Sequence, residues 1–137
     1  MILILALLIL VSHLQGDVFE WELELGRVGS TGELVKALEG KGIEVSGIFQ
    51  PSQGYSYLFI CGDGWVRKVI ADMPQIATFY ICRVYIYRDR EGKIRVGYVN
   101  MENLIKVFGR YLSPESRKIL ADIFSRVRSA VEEVGKR

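Results

Sequence analysis

The chain has 137 residues, half of them hydrophobic and a quarter charged, with a net charge of only +2 at neutral pH. That composition excludes a disordered chain and gives room for one hydrophobic core but not for two domains. The near balance of charge argues against the strongly positive surface that nucleic acid binding usually needs. Two asparagines and four glutamines, beside abundant Glu, Lys, Arg, Ile and Val, carry a faint thermophile signature.

The leading segment MILILALLILVSHLQG, residues 1–16, has eleven uninterrupted apolar residues and then a short polar stretch ending in glycine. It resembles the apolar region of a signal peptide and is short of the roughly 20 apolar residues of a spanning helix. No Lys or Arg precedes the run and the cleavage pattern is poor; a start codon placed upstream would account for the first. We expect residues 1–16 to be a signal peptide or membrane-tethering segment detached from the body, and residues 17–137 to be a single α+β domain. The protein is then extracytoplasmic or membrane-associated. The alternative is a packed amino-terminal element on a cytoplasmic protein. His13, the chain's only histidine, lies in this segment.

From Asp17 the pattern DVFEWELEL alternates strictly, with Phe19, Trp21, Leu23 and Leu25 on one face and Glu20, Glu22 and Glu24 on the other, as in a half-buried antiparallel strand. Ser30 followed by Glu33 is a capping-box pattern, so a helix is predicted from about Thr31 to Glu39 with Leu34, Val35 and Leu38 on its apolar side. IEVSGIF, residues 43–49, reads as a second strand closed by the turn residues of QPSQG, and YSYLFIC as a third. Asp63 is placed to cap a short helix carrying Trp65, Val66, Val69, Ile70 and Met73. A long strand from Thr78 to Arg88, a DREG hairpin turn and the strand KIRVGYVN follow. Asn100 then caps a small helix with Met101, Leu104, Ile105 and Phe108, and Ser113 with Pro114 opens the last helix. In that helix Leu120, Ile123, Val127, Ala130 and Val134 form a core-facing seam, widened by Ile119, Phe124 and Val131.

The chemical inventory is mostly negative. Without a histidine in the body there is no Ser-His or Cys-His nucleophile pair, and the usual zinc sets lack ligands. CGDG is too short for a phosphate-cradling loop and lacks the Lys-Ser/Thr of a P-loop. No catalytic residue, metal site or cofactor is indicated, and the inventory favours a non-enzymatic role. The residues at 55, 57, 80, 85 and 87 are tyrosines, either an aromatic stacking surface or simply good strand formers. Arg83 offers a planar fork for a carboxylate or phosphate, or else a salt bridge on the outer face of the sheet.

The thiols of Cys61 and Cys82 are a candidate pair. Placing them opposite each other on antiparallel neighbours puts Phe59 opposite Val84 and Tyr57 opposite Ile86 on one inner face, with Leu58, Ile60, Arg83, Tyr85 and Tyr87 outside. A disulfide there closes a loop of about 20 residues and stabilises by roughly 3 kcal/mol. Two buried free thiols are an equal alternative, and a reactive thiolate, better placed at Cys61 beside a helix start, is a third.

These residues carry a resemblance: a strand, a capped helix ending in KALEGKGIEV, an apolar run ending in Cys61, then ICRVYIY, a charged turn, GKIRV and VN. Over residues 17 to 108 the sequence is similar to the uncharacterised family called domain of unknown function 302. The resemblance implies the TATA-binding-protein-like α+β class: a curved antiparallel sheet of about five strands, helices packed on one face, in the order β-α-β-β-α-β-β-α-α. Some members carry export signals. Where the family often has Cys-Asn-Pro this chain has Cys61, Gly62 and Asp63, and where it often has Pro-Cys this chain has Ile81 and Cys82. The family has no settled activity, and the fold label does not imply DNA binding.

The expected function is an exported or membrane-tethered module for a small ligand or a protein, with Arg83, Tyr85, Tyr87, Asp63 and Trp65 as candidate ligand-binding residues. The alternatives are a thiol-dependent redox or soft-metal-binding protein using Cys61 and Cys82, and a purely structural interaction domain. A membrane tether through residues 1–16 and a homodimer fit this reading; nucleic acid does not.

Overall fold

A computed structural model of the chain describes residues 2–5, 20–26 and 29–136. Residues 2–5 are helical, with Ile2, Leu3, Ile4 and Leu5 exposed. The rest of the leading segment, with His13, and residues 17–19, with Phe19, lie outside the described residues, and so does most of the expectation that residues 1–16 stand apart. Among the described residues no helix is long and apolar enough to cross a membrane.

The alternating glutamates and hydrophobics form β1 (Glu20–Gly26), and α1 (Thr31–Gly40) follows. Ser30 caps α1, its hydroxyl accepting from the Glu33 amide at 3.2 Å. Then come β2 (Gly47–Ser52), β3 (Tyr55–Phe59), α2 (Val66–Asp72), a 3-10 turn (Pro74–Phe79), β4 (Arg83–Arg88), β5 (Ile94–Val99), α3 (Met101–Phe108) and α4 (Pro114–Gly135). Asn100 caps α3 and Ser113 caps α4, with Pro114 first in the helix, as their side chains require. The element order is the expected one, and the class is α+β.

The strands form a single antiparallel sheet in the order β1-β5-β4-β3-β2. The β4–β5 hairpin is set by Asp89, whose carboxylate accepts from the amides of Glu91 and Lys93, each at 2.9 Å. Packing on one face of the sheet comes from α4, which contacts β1, α1, α2 and α3. The core lies between: Leu58, Val84, Ile86, Val96 and Tyr98 from the sheet meet Leu34, Leu38, Leu120, Phe124, Val127 and Val131 from the helices, all buried. Trp21 meets Phe124 edge to face at 6.1 Å. Burial of this kind dominates stability, and deleting one such aromatic ring typically costs about 3–5 kcal/mol.

Four expectations are corrected. The strand expected at residues 43–49 starts at Gly47, because Ile43 is buried and its amide is held by the Leu38 carbonyl at 3.0 Å. It then runs through Pro51, tolerated because β2 is an edge strand whose pairing is irregular between Phe49 and Ser52. Asp63 does not cap α2: it is exposed, and Trp65 precedes the helix with no side-chain cap. The strand expected from Thr78 starts at Arg83, since Pro74 opens a 3-10 turn that ends on Tyr80 in a left-handed conformation. Lastly, β3 and β4 pair with Phe59 opposite Arg83, Leu58 opposite Val84 and Tyr57 opposite Tyr85. The β4 phase is as expected, but β3 is turned over, so Leu58 and Ile60 are buried while Tyr57 and Phe59 lie on the outer face.

Candidate functional site

Alternation along the five strands decides what the helix-free face carries. Glu20, Glu22 and Glu24 share it with Arg95 and Gly97 of β5, Arg83, Tyr85 and Tyr87 of β4, Tyr55, Tyr57 and Phe59 of β3, and Phe49 of β2. This face is aromatic in the middle and charged on the β1 side. It has two halves with different chemistry.

One half is tied by internal hydrogen bonds. The carboxylate of Glu22 accepts from the Tyr85 hydroxyl at 3.0 Å, the Tyr87 hydroxyl at 3.1 Å and Arg95 Nη1 at 3.3 Å. Arg95 also donates through Nε to Asp89 at 3.0 Å and lies 3.9 Å from Glu24, which meets Lys93 at 3.6 Å. Cross-strand ion pairs thus form for Lys93 and Arg95, whereas the outer-face salt bridge offered for Arg83 does not form among the described residues. Such exposed pairs contribute about 0–1 kcal/mol each, and they serve strand order more than stability. Burial, followed by the negative charge of Glu22 and Glu20, pushes the Tyr85 hydroxyl well above the ordinary tyrosine range. Tyr87 is raised by burial and its bond to Glu22. These hydroxyls stay protonated and donating.

The other half is open. Arg83 forms no ion pair among the described residues; its guanidinium carbon lies 4.2 Å from the centre of the Tyr80 ring and 4.9 Å from that of Tyr57. Tyr57 stacks in turn on Phe49, with ring centres 6.4 Å apart and planes 13° from parallel. The row Tyr80, Arg83, Tyr57, Phe49 crosses β4, β3 and β2, and its two ends are 61% and 53% exposed. Behind it Tyr55 stands edge-on to Tyr57 at 5.3 Å and stacks on Tyr87 and Tyr85 at 5.6 and 6.2 Å. Burial first, and then Tyr57, push the Tyr55 hydroxyl up to about 12. Each cation–aromatic contact contributes about 0.5–2 kcal/mol, depending on desolvation, and together they fix the plane of the guanidinium.

The chain around Tyr80 is held firmly. Tyr80 has φ 59° and ψ 34°, the only non-glycine residue with positive φ among the described residues. Such a conformation costs a tyrosine roughly 1–2 kcal/mol and persists only where neighbours enforce it. Cys61 and Cys82 form a disulfide with Cα atoms 5.1 Å apart. They lie just past the ends of β3 and β4, so strand alternation does not govern them and they bond on a diagonal. The Ile60 amide donates to the Cys82 carbonyl at 3.0 Å, and the buried Tyr98 hydroxyl donates to the Ile81 carbonyl.

The structure therefore brings Arg83, Tyr85 and Tyr87 onto one face, with the Cys61–Cys82 bond at its end. Asp63 and Trp65 fall in the turn after Cys61, where the Trp65 indole N–H donates to the Ile60 carbonyl at 2.7 Å and so serves the strand end. Sequence reading missed the parts played by Tyr80, Glu22 and Phe49. Gly97, a small residue in mid-strand opposite both Tyr85 and Glu22, was the signal for the Glu22 network. Among the described residues no group of three or more His, Cys, Asp or Glu side chains is placed to hold a metal ion.

A model of the family described as "Domain of unknown function DUF302" matches residues 34–134, the last helix included. A protein of Aquifex aeolicus (strain VF5), named "Uncharacterized protein", is 29% identical over 103 residues, 74% of this chain and 72% of its own length. The crystal structure of an uncharacterised conserved protein DUF302 from Bacillus stearothermophilus superposes with a TM-score of 0.61 at 17% identity, covering 83% of this chain and 96% of that one, which supports the fold. With the model spanning most of the chain, from α1 through α4, this protein belongs to the DUF302 family.

Proposed function

We propose that the domain is a binding module that takes a small planar anion on the open face of its sheet. Arg83 supplies the charge, and Tyr80, Tyr57 and Phe49 supply the stacking surface. The observation that carries this reading is the guanidinium of Arg83, oriented on two tyrosine rings and unpaired with a carboxylate among the described residues, on a face whose other cations, Arg95 and Lys93, meet Glu22, Glu24 and Asp89. A fixed guanidinium presents its N–H fork to a carboxylate or phosphate bidentately, and fixing it in advance lowers the ordering cost of binding.

We also infer that the module works outside the cytoplasm or at a membrane surface. The apolar run at residues 1–11 supports this, as does the Cys61–Cys82 disulfide, because such bonds persist mainly in oxidising compartments. Mass spectrometry of the native protein tests the location by giving its processed amino terminus.

Calorimetric titration with naphthoate, naphthamide and cyclohexanecarboxylate tests the ligand class. Naphthoate, both planar and anionic, should bind. The neutral amide and the non-planar acid should bind at least about tenfold more weakly, since each lacks one of the two recognised features. No binding by any of the three, or equal binding by all, contradicts the reading.

A further inference from the structure

We propose that the Cys61–Cys82 disulfide is a redox gate on the Arg83 site. This rests on the binding reading above and adds its regulation. The bond joins the end of β3 to the residue just before Arg83, and the strained Tyr80 lies two residues before Cys82. The Arg83 amide donates back to the Tyr80 carbonyl at 3.1 Å, closing the turn that sets the Tyr80 ring over the guanidinium. Both cysteines are half-buried, not sealed in the core, so a thiol reagent can reach them.

Reduction by a dithiol proceeds by thiolate attack on one sulfur, departure of the other as a thiolate, and resolution of the mixed disulfide by the reductant's second thiol. Two electrons and two protons pass to the protein as the Cys61 and Cys82 thiols, and the reductant leaves as its disulfide. Besides the disulfide, the turn is tied by the Ile60–Cys82 hydrogen bond, at the end of the ladder, by the Tyr98–Ile81 bond, and by two bonds local to the turn, from the Tyr80 amide to the Ala77 carbonyl at 3.2 Å and from the Arg83 amide to the Tyr80 carbonyl at 3.1 Å. The two bonds on Tyr80 stay within the turn, and only the disulfide ties that turn covalently to the chain beyond β3. A tyrosine released from a left-handed conformation relaxes to negative φ, which carries its ring off Arg83. The oxidised protein is the binding form and the reduced protein the weak one.

The test compares the full chain before and after excess dithiothreitol, with alkylation mass spectrometry to count thiols. Amide hydrogen exchange reads residues 80–83, and titration with naphthoate reads the site. Full reduction should speed exchange at Arg83, leave the β1–β5 ladder protected, and weaken naphthoate about tenfold through lost preorganisation. The Cys82→Ser variant should behave as the reduced protein without reductant. Unchanged exchange at residues 80–83 in the fully reduced protein overturns the gate, and so does global unfolding on reduction, which would make the bond a staple. If naphthoate fails to bind the oxidised protein, the binding reading falls, while exchange still decides whether the disulfide holds the turn.

Discussion

The ring of Tyr85 lies directly on the backbone of Gly97, so close that no Cβ fits beneath it. This contact lets a β4 side chain cross the whole width of β5 and reach Glu22 on β1. Gly97→Ala should therefore push the ring off and break the bond to Glu22, destabilising by about 1–3 kcal/mol. Tyr85→Phe keeps the ring and loses only the hydroxyl, for about 1 kcal/mol. Urea midpoints of the two variants should rank in that order.

Alkaline titration reads the same tyrosines. Tyr55 is raised from 10.0 to about 12, and Tyr85 and the fully buried Tyr98 are raised as well. A raised pKa means that the folded state holds its protons longer than the unfolded state. The associated stability is complete below pH 10 and declines as the pH climbs toward about 12. Phenolate absorbance of the native protein should show a late-titrating group of tyrosines that joins the ordinary ones on adding urea.

In acid the sign reverses, and the residue to watch is Asp72. Its carboxylate accepts from the Ser113 amide at 2.9 Å and the Ser116 hydroxyl at 2.6 Å, and the Ser113 side chain first, then the Ser116 hydroxyl and the Ser113 amide, lower its pKa from 3.8 to about 2. The contribution is present above pH 3.8 and is lost as the pH falls through about 2. Because Asp72 ends α2 and Ser113 caps α4, Asp72→Asn should uncouple the two helices and remove this part of the acid transition, measured by circular dichroism against pH.

The disulfide spans 21 residues of sequence, and closing a loop of that size should stabilise by about 3 kcal/mol. The Cys61→Ser, Cys82→Ser double variant should lose that amount in a denaturant titration. Reductant should shift the native protein by a similar amount and the double variant not at all.

Much of this fold was legible in the sequence because local chemistry set it. Ser30, Asn100 and Ser113 each cap the expected helix, and EWELEL divides its faces as read. The failure on β3 came from one assumption, that two bonded cysteines sit opposite each other within a ladder. They bond beyond its end, so Cys61 said nothing about which way Leu58 and Tyr57 point. Tyr80 was read as strand because tyrosine favours strands, and nothing local announces that it ends a 3-10 turn in a left-handed conformation. The candidate site was half legible: Arg83 stood out as a charge among strand formers. Its partner rings come from β3 and the turn before β4, with Phe49 of β2 stacked beyond Tyr57, and which rings meet it depends on a register that side-chain patterns alone left open.

The central claim is that Arg83, held on Tyr80 and Tyr57, binds a planar anion, and titrating naphthoate into the Arg83→Gln variant beside the native chain tests it most directly. The account predicts that the variant stays folded and loses only about 1–2 kcal/mol of stability, since it gives up two partly exposed cation–aromatic contacts of about 0.5–1 kcal/mol each and no ion pair among the described residues. It also predicts a loss of at least about 2 kcal/mol of naphthoate affinity, near 30-fold. Equal affinity in a folded Arg83→Gln protein would contradict it.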